Sequence, residues 1–502
     1  MAAASPITLV LDDEAATGRL GQDIALALRG GETLLLEGDL GAGKTALARA
    51  ILRTLSSDLD LEVPSPTYTL VQVYELRLPV LHYDLYRLRS ADELDELGFG
   101  ETPGAVSLVE WPDRADGRLP AEAVTISLSH EGKGRRAVIS GSSPAFMRIA
   151  RSLALRSFMA SSGWGDADRA PLTGDASARA YETVKLPGEP ARLVVNSPPL
   201  VLGPPVRGGK PYAVIAHTAQ TVAAFLGVAR ALRSHGITAP DVYDADLKQG
   251  FMMVEHLGHG AFLDADGMPV AARYSVAAEL LDDIHAQDWP DEMPTGFGPS
   301  HRLPPFDRDA MLIETELLLD WYIPFVSGKP ASDAVRADYL RIWNAALDRI
   351  ADTETSLLLR DYHSPNIVWR PDCSGPHRLG VLDFQDAMRG PTAYDLASLA
   401  MDARVDVPAH IQSATLEAYC ARRARRPRFD RNGFDLAFST MAAQRNSKIL
   451  GIFVRLDRRD GKPQYLKLLP RIRDYLGRAL DHPALAEMRA FYAEQGFIGA
   501  SS

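Results

Sequence analysis

The sequence has few of the features that mark membrane, secreted or polyanion-binding proteins. Its two cysteines, Cys373 and Cys420, cannot build a disulfide framework or a four-sulfur zinc site, and they fit a reducing cytosol. No segment approaches the roughly eighteen uninterrupted apolar residues of a membrane span, and no basic flank precedes an apolar run near the N-terminus. The formal net charge of −11 argues against non-specific nucleic-acid binding by the whole surface. We therefore expect a soluble, cytoplasmic protein that makes no membrane contact.

The length of 502 residues is too great for one ordinary core and predicts two or more domains. The apolar fraction of 46% and the charged fraction of 24% are typical of globular proteins. Residues 129–146, SHEGKGRRAVISGSSPAF, pass from a polar turn into a Gly-Ser-Ser-Pro run of the kind found at exposed domain boundaries. We therefore predict a first domain over residues 1–143 and a second over residues 147–490.

A complete phosphate-binding motif follows the first predicted buried strand. The apolar run 31–36 leads into G-x-x-x-x-G-K-T, and the sequence TALARAILRTL that follows has the apolar spacing of a helix. In this context the glycines turn backbone N–H groups onto phosphates, Lys44 reaches the β and γ oxygens, and Thr45 binds Mg²⁺. The motif predicts an ATP site formed by Gly38, Asp39, Leu40, Gly41, Ala42, Gly43, Lys44 and Thr45.

Two carboxylates, Asp84 and Glu110, follow later apolar runs of the same domain. Ligands bind at such strand ends in open α/β sheets, so both side chains are candidates for catalysis, either around Mg²⁺ or by orienting an attacking water. A helix cap could explain Asp84 and a solvated strand end Glu110, but the upstream phosphate loop favours the catalytic interpretation. We predict Glu110 as a metal ligand together with Thr45, and we interpret Trp111 as core packing outside the site.

The motifs GDLGAGKT, PSPTYTL, HYDLYRL and VEWP make residues 6–142 resemble the TsaE family of small P-loop ATPases. The resemblance implies an α/β P-loop NTPase fold and an ATPase that supports formation of N6-threonylcarbamoyladenosine next to the tRNA anticodon. It implies that hydrolysis resets a partner complex, so threonylcarbamoyl-transferase subunits are expected partners, whereas direct contact with tRNA stays open. It also places Thr67 in a switch-like loop.

The second domain is organised around residues 357–386, LLLRDYHSPNIVWRPDCSGPHRLGVLDFQD. Asp361 and Asn366 have the D-x-H-x-x-N spacing of a kinase catalytic loop, and Asp383 begins a D-F pair on the next apolar run. A polar turn between two core strands explains either half alone but not both in this order. We therefore predict Asp361 as the catalytic base, Asn366 and Asp383 as Mg²⁺ ligands, and His363 as a residue that orients the loop.

An ATP cradle is expected upstream of this loop. Residues 172–185 have the pattern of a strand, a small-residue turn and a second strand, so Gly174 and Ser177 are candidates for covering the phosphates. Glu255 follows the apolar run 251–254 at the position of a kinase hinge, and we assign it to the cofactor site. A plain strand end would have the same pattern.

The sequence lacks a lysine where the third strand of a kinase usually carries one. The run 191–196 occupies that place, and Arg179 and Lys185 remain alternative substitutes. Asp386 and Asp395 are interpreted as loop-ordering or helix-capping residues. Apolar spacing predicts helices near 219–234, 270–286, 309–325, 332–351, 393–403, 410–424 and 432–455.

Two further groups of side chains have a structural and a functional interpretation. Acidic and aromatic residues at 316–322 could contact a pyranose, but an amphipathic helix supplies the same residue types by chance, and we favour that explanation; they are Glu316, Asp320, Trp321 and Tyr322. An arginine cluster could bind an anion, although a solvated helix end is commoner; it comprises Arg422, Arg423, Arg425, Arg426 and Arg428.

Residues 150–480 resemble the aminoglycoside phosphotransferase and choline kinase superfamily, and more closely its AmgK group of anomeric sugar kinases. The finer resemblance rests on LTGDASARAY, NSPP, RDYHSPNIVW, VLDFQDAMRGPTAYDLASL and QRNSKILGIFVRLDRRDGKPQYL. It implies a two-lobed α+β protein-kinase-like fold and phosphorylation of the C1 hydroxyl of N-acetylmuramate or N-acetylglucosamine in peptidoglycan recycling. Leu359 and Asn196 depart from the group's pattern of histidine and aspartate, but neither is the base or a metal ligand.

The two halves together predict a bifunctional enzyme with ATP and Mg²⁺ at two sites, in which an ATPase supporting tRNA modification is joined to a sugar kinase. One alternative is a kinase for another small alcohol, such as an aminoglycoside or choline. A second alternative is that one module only binds nucleotide as a regulator. The intact motif residues argue against the second alternative, and the missing lysine argues for it.

Overall fold

A computed structural model describes residues 5–172, 179–427 and 429–498. Gly174 and Ser177, predicted to cover ATP phosphates, lie outside the described residues, as does Arg428. The chain divides between Asn196 and Ser197 into two compact units. No helix in the described ranges combines the length and apolar character needed to cross a membrane.

The first unit is built on a seven-stranded sheet. Its strands are β1 (Ile7–Leu11), β2 (Thr33–Glu37), β3 (Val71–Tyr74), β4 (Val80–Asp84), β5 (Val106–Glu110), β6 (Val124–Glu131) and β7 (Gly134–Ser140). Their order is β1-β7-β6-β2-β5-β4-β3, with β2 parallel to both β5 and β6 and β4 parallel to β5. The carboxyl ends of β2, β4 and β5 therefore lie at one edge of the sheet.

The helices of this unit are α1 (Glu14–Ala27), α2 (Lys44–Ser56), α3 (Glu93–Glu96) and α4 (Pro144–Ser161). Buried apolar residues of α1 and α2, including Ile24, Leu47 and Ile51, belong to the same core cluster as Leu34 and Leu36 of β2. Three antiparallel strands complete the unit in the order β10-β9-β8; they are β8 (Asp168–Leu172), β9 (Ala180–Lys185) and β10 (Arg192–Asn196).

A buried ionic network holds α4 and these last strands in the first unit. Asp23 of α1 accepts hydrogen bonds from Arg156 of α4 at 2.8 Å and from Arg169 of β8 at 2.6 Å. Arg169 also donates to Glu182 of β9 at 2.6 and 2.9 Å. Because both charge signs are buried together, each compensates the desolvation of the other. The predicted limits 1–143 and 147–490 divide the chain earlier than the compact units do, and they stay a prediction.

The second unit is mainly helical. Its helices are α5 (Tyr212–Ile215), α6 (Ala223–Ser234), α7 (Ala271–His285), α8 (Arg308–Thr315), α9 (Ile323–Ser327), α10 (Asp333–Asp348), α11 (Ala393–Ala400), α12 (Ala409–Arg423), α13 (Arg431–Asp460), α14 (Leu469–Ala479) and α15 (Ala486–Glu494). The predicted helix 309–325 is divided into α8, a π-helical turn over Leu318–Tyr322, and α9.

The described part of the second unit also contains short strands, which are β11 (Pro205–Arg207), β12 (Lys210–Pro211), β13 (Val242–Asp246), β14 (Phe251–Glu255), β15 (Glu292–Met293), β16 (His301–Arg302), β17 (Thr355–Leu358), β18 (Ile367–Trp369), β19 (Leu379–Val381) and β20 (Met388–Pro391). They pair antiparallel as β11–β12, β13–β14, β15–β16, β17–β20 and β18–β19. The predicted catalytic loop connects β17 to β18, and the D-F pair follows β19. Two short strand pairs thus position the kinase motif.

Candidate active sites

The phosphate loop lies between β2 and α2, as predicted. Gly38, Gly41 and Gly43 have φ angles of 135°, 79° and 108°, which side-chain-bearing residues rarely adopt. A Cβ atom on Gly38 would also collide with the carbonyl oxygen of Leu128. Lys44 begins α2, and its ammonium donates to two loop carbonyl oxygens at 2.6 and 3.0 Å. The loop therefore keeps the cation close to the place where the motif predicts phosphate.

Trp111 belongs to this site. Its ring centroid lies 3.6 Å from the Lys44 ammonium, and the two side chains line a cavity of about 290 Å³ together with Asp84 and Glu110. Burial lowers the pKa of Lys44, and the neighbouring Glu110 and Asp84 partly oppose that effect. Trp111 packs against the core, as interpreted, and it also lines the cavity.

Glu110 connects the end of β5 to the phosphate loop. It accepts a hydrogen bond from the Thr45 hydroxyl at 2.9 Å, and its other oxygen lies 2.9 Å from Nε2 of the buried His82. Hydroxyl and carboxylate oxygens are the ligands that Mg²⁺ prefers, so the donor set of Thr45 and Glu110 fits that ion. The contact of Glu110 with His82, on the neighbouring strand β4, was not predicted. The position of His82 in the HYDLYRL motif could have indicated it.

Asp84 ends β4 directly opposite Glu110 in the parallel register. One of its oxygens accepts hydrogen bonds from the hydroxyls of Ser65 and Thr67 at 2.6 and 2.7 Å. The loop that carries the PSPTYTL motif is therefore attached to the carboxylate at the cavity edge.

The structure brings the three predicted kinase residues together. The Asn366 Nδ2 donates to the backbone carbonyl of Asp361 at 2.9 Å and lies 3.5 Å from the Asp383 carboxylate. Because Nδ2 faces these acceptors, Oδ1 is the atom that the amide can offer to a metal. An amide oxygen and the Asp383 carboxylate suit Mg²⁺, so the residues present fit the ion.

Asp395 orders the catalytic loop, as its structural interpretation predicted. Its carboxylate accepts the backbone N–H groups of Leu359 and Arg360 at 2.6 and 2.8 Å. Arg360 has a φ of 74°, a conformation that needs such support in a residue with a side chain. Burial raises the pKa of Asp395 to about 7. Asp386 has a similar role, since it accepts the N–H of Ala219 at 2.6 Å.

His363 lies between a buried carboxylate and a predicted metal ligand. Its Nδ1 is 3.5 Å from Asp402, and its Nε2 is 3.4 Å from the Asn366 amide. Asp402 also accepts the N–H of Ser364 at 2.8 Å. Burial alone would raise the pKa of Asp402, but its contacts with His363 and Ser364 lower it to about 2. These contacts agree with an orienting role for His363.

Asp361, the predicted catalytic base, lies beside a cluster of buried charges that was not predicted. Glu314 of α8 is fully buried and pairs with Arg360 and with Lys448 of α13, the latter at 2.9 Å. Burial alone would raise the pKa of Asp361, but the cationic groups of Lys448 and Arg445 outweigh it and bring the pKa below its ordinary value. Asp361 is therefore ionised at neutral pH, as a proton acceptor must be.

Glu255 ends β14, as predicted for a hinge residue. Its carboxylate accepts the N–H of Asp241 at 3.1 Å and lies 3.6 Å from Arg233. These contacts fix the strand end, and a role in cofactor binding remains a prediction.

The ambiguous side chains have mainly structural partners. Glu316 and Asp320 both pair with Arg336, at 3.1 and 2.5 Å, which favours the amphipathic-helix explanation. Three arginines of the cluster, Arg422, Arg423 and Arg426, converge on the buried Asp282 of α7 at 2.8 to 3.2 Å. Arg423 is buried, so a solvated helix end does not describe it, whereas Arg422 and Arg426 remain 33% and 37% exposed.

Two family models match the chain, one on each part. Residues 11–138 match "Threonylcarbamoyl adenosine biosynthesis protein TsaE", and residues 168–429 match "Phosphotransferase enzyme family". The N-acetylmuramate/N-acetylglucosamine kinase of Caulobacter vibrioides is 33% identical over 353 residues, which are 68% of this chain and 96% of that protein. The kinase of the same name from Pseudomonas putida is 30% identical over 66% of this chain and 90% of its own length.

A relative of the N-terminal part is the tRNA threonylcarbamoyladenosine biosynthesis protein TsaE of Rickettsia felis. It is 37% identical over 139 residues, which are 27% of this chain and 81% of that protein. The predicted resemblances and fold classes of both parts are thereby confirmed. The chain belongs to the TsaE family through its N-terminal part and to the phosphotransferase enzyme family through its C-terminal part.

Proposed function

We propose that the chain is a bifunctional cytoplasmic enzyme. Its C-terminal part phosphorylates N-acetylmuramate or N-acetylglucosamine at the C1 hydroxyl with ATP. Its N-terminal part hydrolyses ATP in support of tRNA N6-threonylcarbamoyladenosine formation, together with threonylcarbamoyl-transferase subunits. The observation that carries the proposal is the convergence of Asp361, Asn366 and Asp383 on one loop pair. It is supported by relatives that are named for this sugar kinase activity and that the chain matches over 90% or more of their length.

In the kinase site, Asp361 accepts the proton of the sugar hydroxyl as the hydroxyl oxygen attacks the γ-phosphorus of ATP. The new oxygen–phosphorus bond forms while the bond to the β–γ bridging oxygen breaks, and ADP leaves with that electron pair. Asn366 and Asp383 would hold Mg²⁺, which neutralises phosphate charge when bound. The hydrogen bonds from Leu359 and Arg360 to Asp395 hold the loop while the base gains its proton.

In the ATPase site, Lys44 moves its hydrogen bonds from the loop carbonyl oxygens to the β and γ phosphates. Thr45 and Glu110 would hold Mg²⁺, and Asp84 would orient the attacking water. The hydroxyls of Ser65 and Thr67 keep the Asp84 carboxylate in place.

Two single substitutions in the full-length protein test the division of labour. Asp361→Asn should lower transfer of the γ-phosphate to the sugar at least ~100-fold, because a positioned proton acceptor is lost. ATP hydrolysis by the N-terminal part should be unchanged. Lys44→Ala should have the opposite pattern. If either variant lost both activities, or neither, the assignment of two independent sites would be wrong.

A panel of phosphate acceptors tests the substrate. We expect transfer to N-acetylmuramate and N-acetylglucosamine, with the phosphate on the anomeric carbon. Efficient transfer to an aminoglycoside or to choline, without transfer to the amino sugars, would favour the alternative of another small-alcohol kinase.

A further inference from the structure

Arg445 is a buried cation beside the catalytic base. It lies on α13, its side chain is only 6% exposed, and its Nη2 is 3.9 Å from Oδ1 of Asp361. That separation permits attraction between the charges but is too long for a hydrogen bond. Among the residues that the structure describes, the Nε and Nη1 of Arg445 also have no hydrogen-bond partner.

Among the residues that the structure describes, Arg360, Arg455 and Arg478 each have one buried nitrogen, Nε, without a hydrogen-bond partner, whereas Arg445 has two. Other buried cations are better matched. Arg169, with a side chain 1% exposed, donates to two carboxylates and one carbonyl oxygen. Lys448, one turn beyond Arg445 on α13, pairs with Glu314 at 2.9 Å. Burying a guanidinium with unused N–H groups is costly, and a ligand that supplied the missing acceptors would offset that cost. The planar fork of arginine suits the two oxygens of a carboxylate or phosphate.

We propose that Arg445 is an anion-binding residue of the kinase site and receives an anionic oxygen of the substrates beside Asp361. The inference rests on the proposed sugar kinase activity. Two groups have the required chemistry. One is the carboxylate of N-acetylmuramate, which N-acetylglucosamine lacks. The other is the phosphoryl group that is transferred from ATP to the sugar, which is the same in the reactions of N-acetylmuramate and N-acetylglucosamine.

The test compares both sugars in full-length Arg445→Met, which removes the charge and keeps the length of the side chain. Steady-state kcat/KM is measured as a function of pH, from acidic pH to the alkaline plateau. On the plateau Asp361 is ionised in both the wild-type protein and Arg445→Met, so a difference there does not come from the ionisation of Asp361. Arg459→Met is the matched control, because Arg459 is on the same helix, 57% exposed, and 14 residues (459 − 445), or roughly 21 Å, further along. The control should keep wild-type kinetics.

If Arg445 binds the carboxylate, Arg445→Met lowers the plateau kcat/KM for N-acetylmuramate about 10- to 100-fold and leaves N-acetylglucosamine within about 3-fold, as expected for one charge-assisted hydrogen bond. If Arg445 binds the phosphoryl group, both sugars lose equally and kcat falls. An unchanged plateau for both sugars, with a shift of the acidic limb alone, would overturn the inference, since Arg445 would then act only through the charge of Asp361.

Arg445→Lys covers the case in which the methionine variant does not fold, as judged by its thermal unfolding. Lysine keeps the positive charge but lacks the planar guanidinium group with its paired N–H donors. We therefore expect kcat/KM on the alkaline plateau to fall about 3- to 10-fold, for the same substrates as in Arg445→Met. Wild-type kinetics for this variant would contradict the inference. Absence of transfer by the wild-type protein would overturn the proposed function and this inference with it, a result distinct from an active wild type with unaffected variants.

Discussion

The two candidate active sites differ in how far apart in the sequence their residues lie. The phosphate loop is contiguous, with Lys44 held by carbonyl oxygens five and six residues earlier. The surroundings of Asp361, the predicted kinase base, come from α8, the catalytic loop, α11 and α13, which supply charges from Glu314 to Lys448. Local glycine geometry therefore shapes the first site, and tertiary packing shapes the charge of the second.

The electrostatic logic of the two sites is also opposite. In the first, a cation is partly desolvated against the Trp111 ring and its pKa is lowered, which prepares it for a polyanionic ligand. In the second, cations around Asp361 lower the pKa of a carboxylate that is predicted to accept a proton. A change to a buried charge should thus affect the stability of the kinase part more than a matched change in the phosphate loop region.

The largest effect is expected from Glu314→Gln. This change leaves Arg360 and Lys448 buried without their shared counter-charge, and such a loss costs about 3–5 kcal/mol of unfolding free energy. Denaturant unfolding of the full-length protein, followed by a probe in the C-terminal part, measures it. Glu487→Gln is the control, because Glu487 pairs with Arg341 at the surface and should cost at most about 1 kcal/mol. Equal effects of the two changes would break the comparison.

A smaller effect, on rate and not on stability, is expected from Glu110→Gln. We expect ATP hydrolysis by the N-terminal part to fall roughly 100-fold, because a carboxylate that contacts Thr45 becomes neutral. The unfolding midpoint should change little. Phosphate release without sugar measures the rate, and the exposed Glu122→Gln serves as control. A large loss of stability without loss of hydrolysis would contradict the assignment.

The smallest effect is a pH dependence in the kinase part. Burial, with help from the charge of Arg423, lowers the pKa of His285 to about 3. An unfolded histidine has a pKa of about 6.5, so the unfolded state binds the proton more readily. The contribution of His285 is therefore complete above about pH 6.5 and falls toward pH 3, by about 1.4 kcal/mol per pH unit at most.

Thermal unfolding at pH 7 and pH 5 measures this dependence. The wild-type protein should lose more stability over that interval than His285→Gln, in which the titrating group is absent. If the wild-type protein and His285→Gln lost the same stability between pH 7 and pH 5, the pKa of His285 would not be lowered in the folded state.

Much of the architecture could be predicted because it follows from local patterns. The helix predicted near 432–455 is α13, and that near 332–351 is α10, because apolar spacing reports which elements are amphipathic. The same spacing does not report which polar side chain on a helix meets a distant loop. No role was therefore predicted for Arg445 or Lys448, and Trp111 was interpreted only as core packing.

The sequence by itself determined the chemistry that each part can attempt. A glycine-rich loop that ends in Lys44 and Thr45 is typical of phosphate binding. The spacing of Asp361, Asn366 and Asp383 is typical of a kinase proton acceptor followed by two metal ligands. Only the tertiary structure decided the electrostatic setting of those groups. Coulomb energies depend on distance through space and on burial, and both are set by packing between residues far apart in the chain.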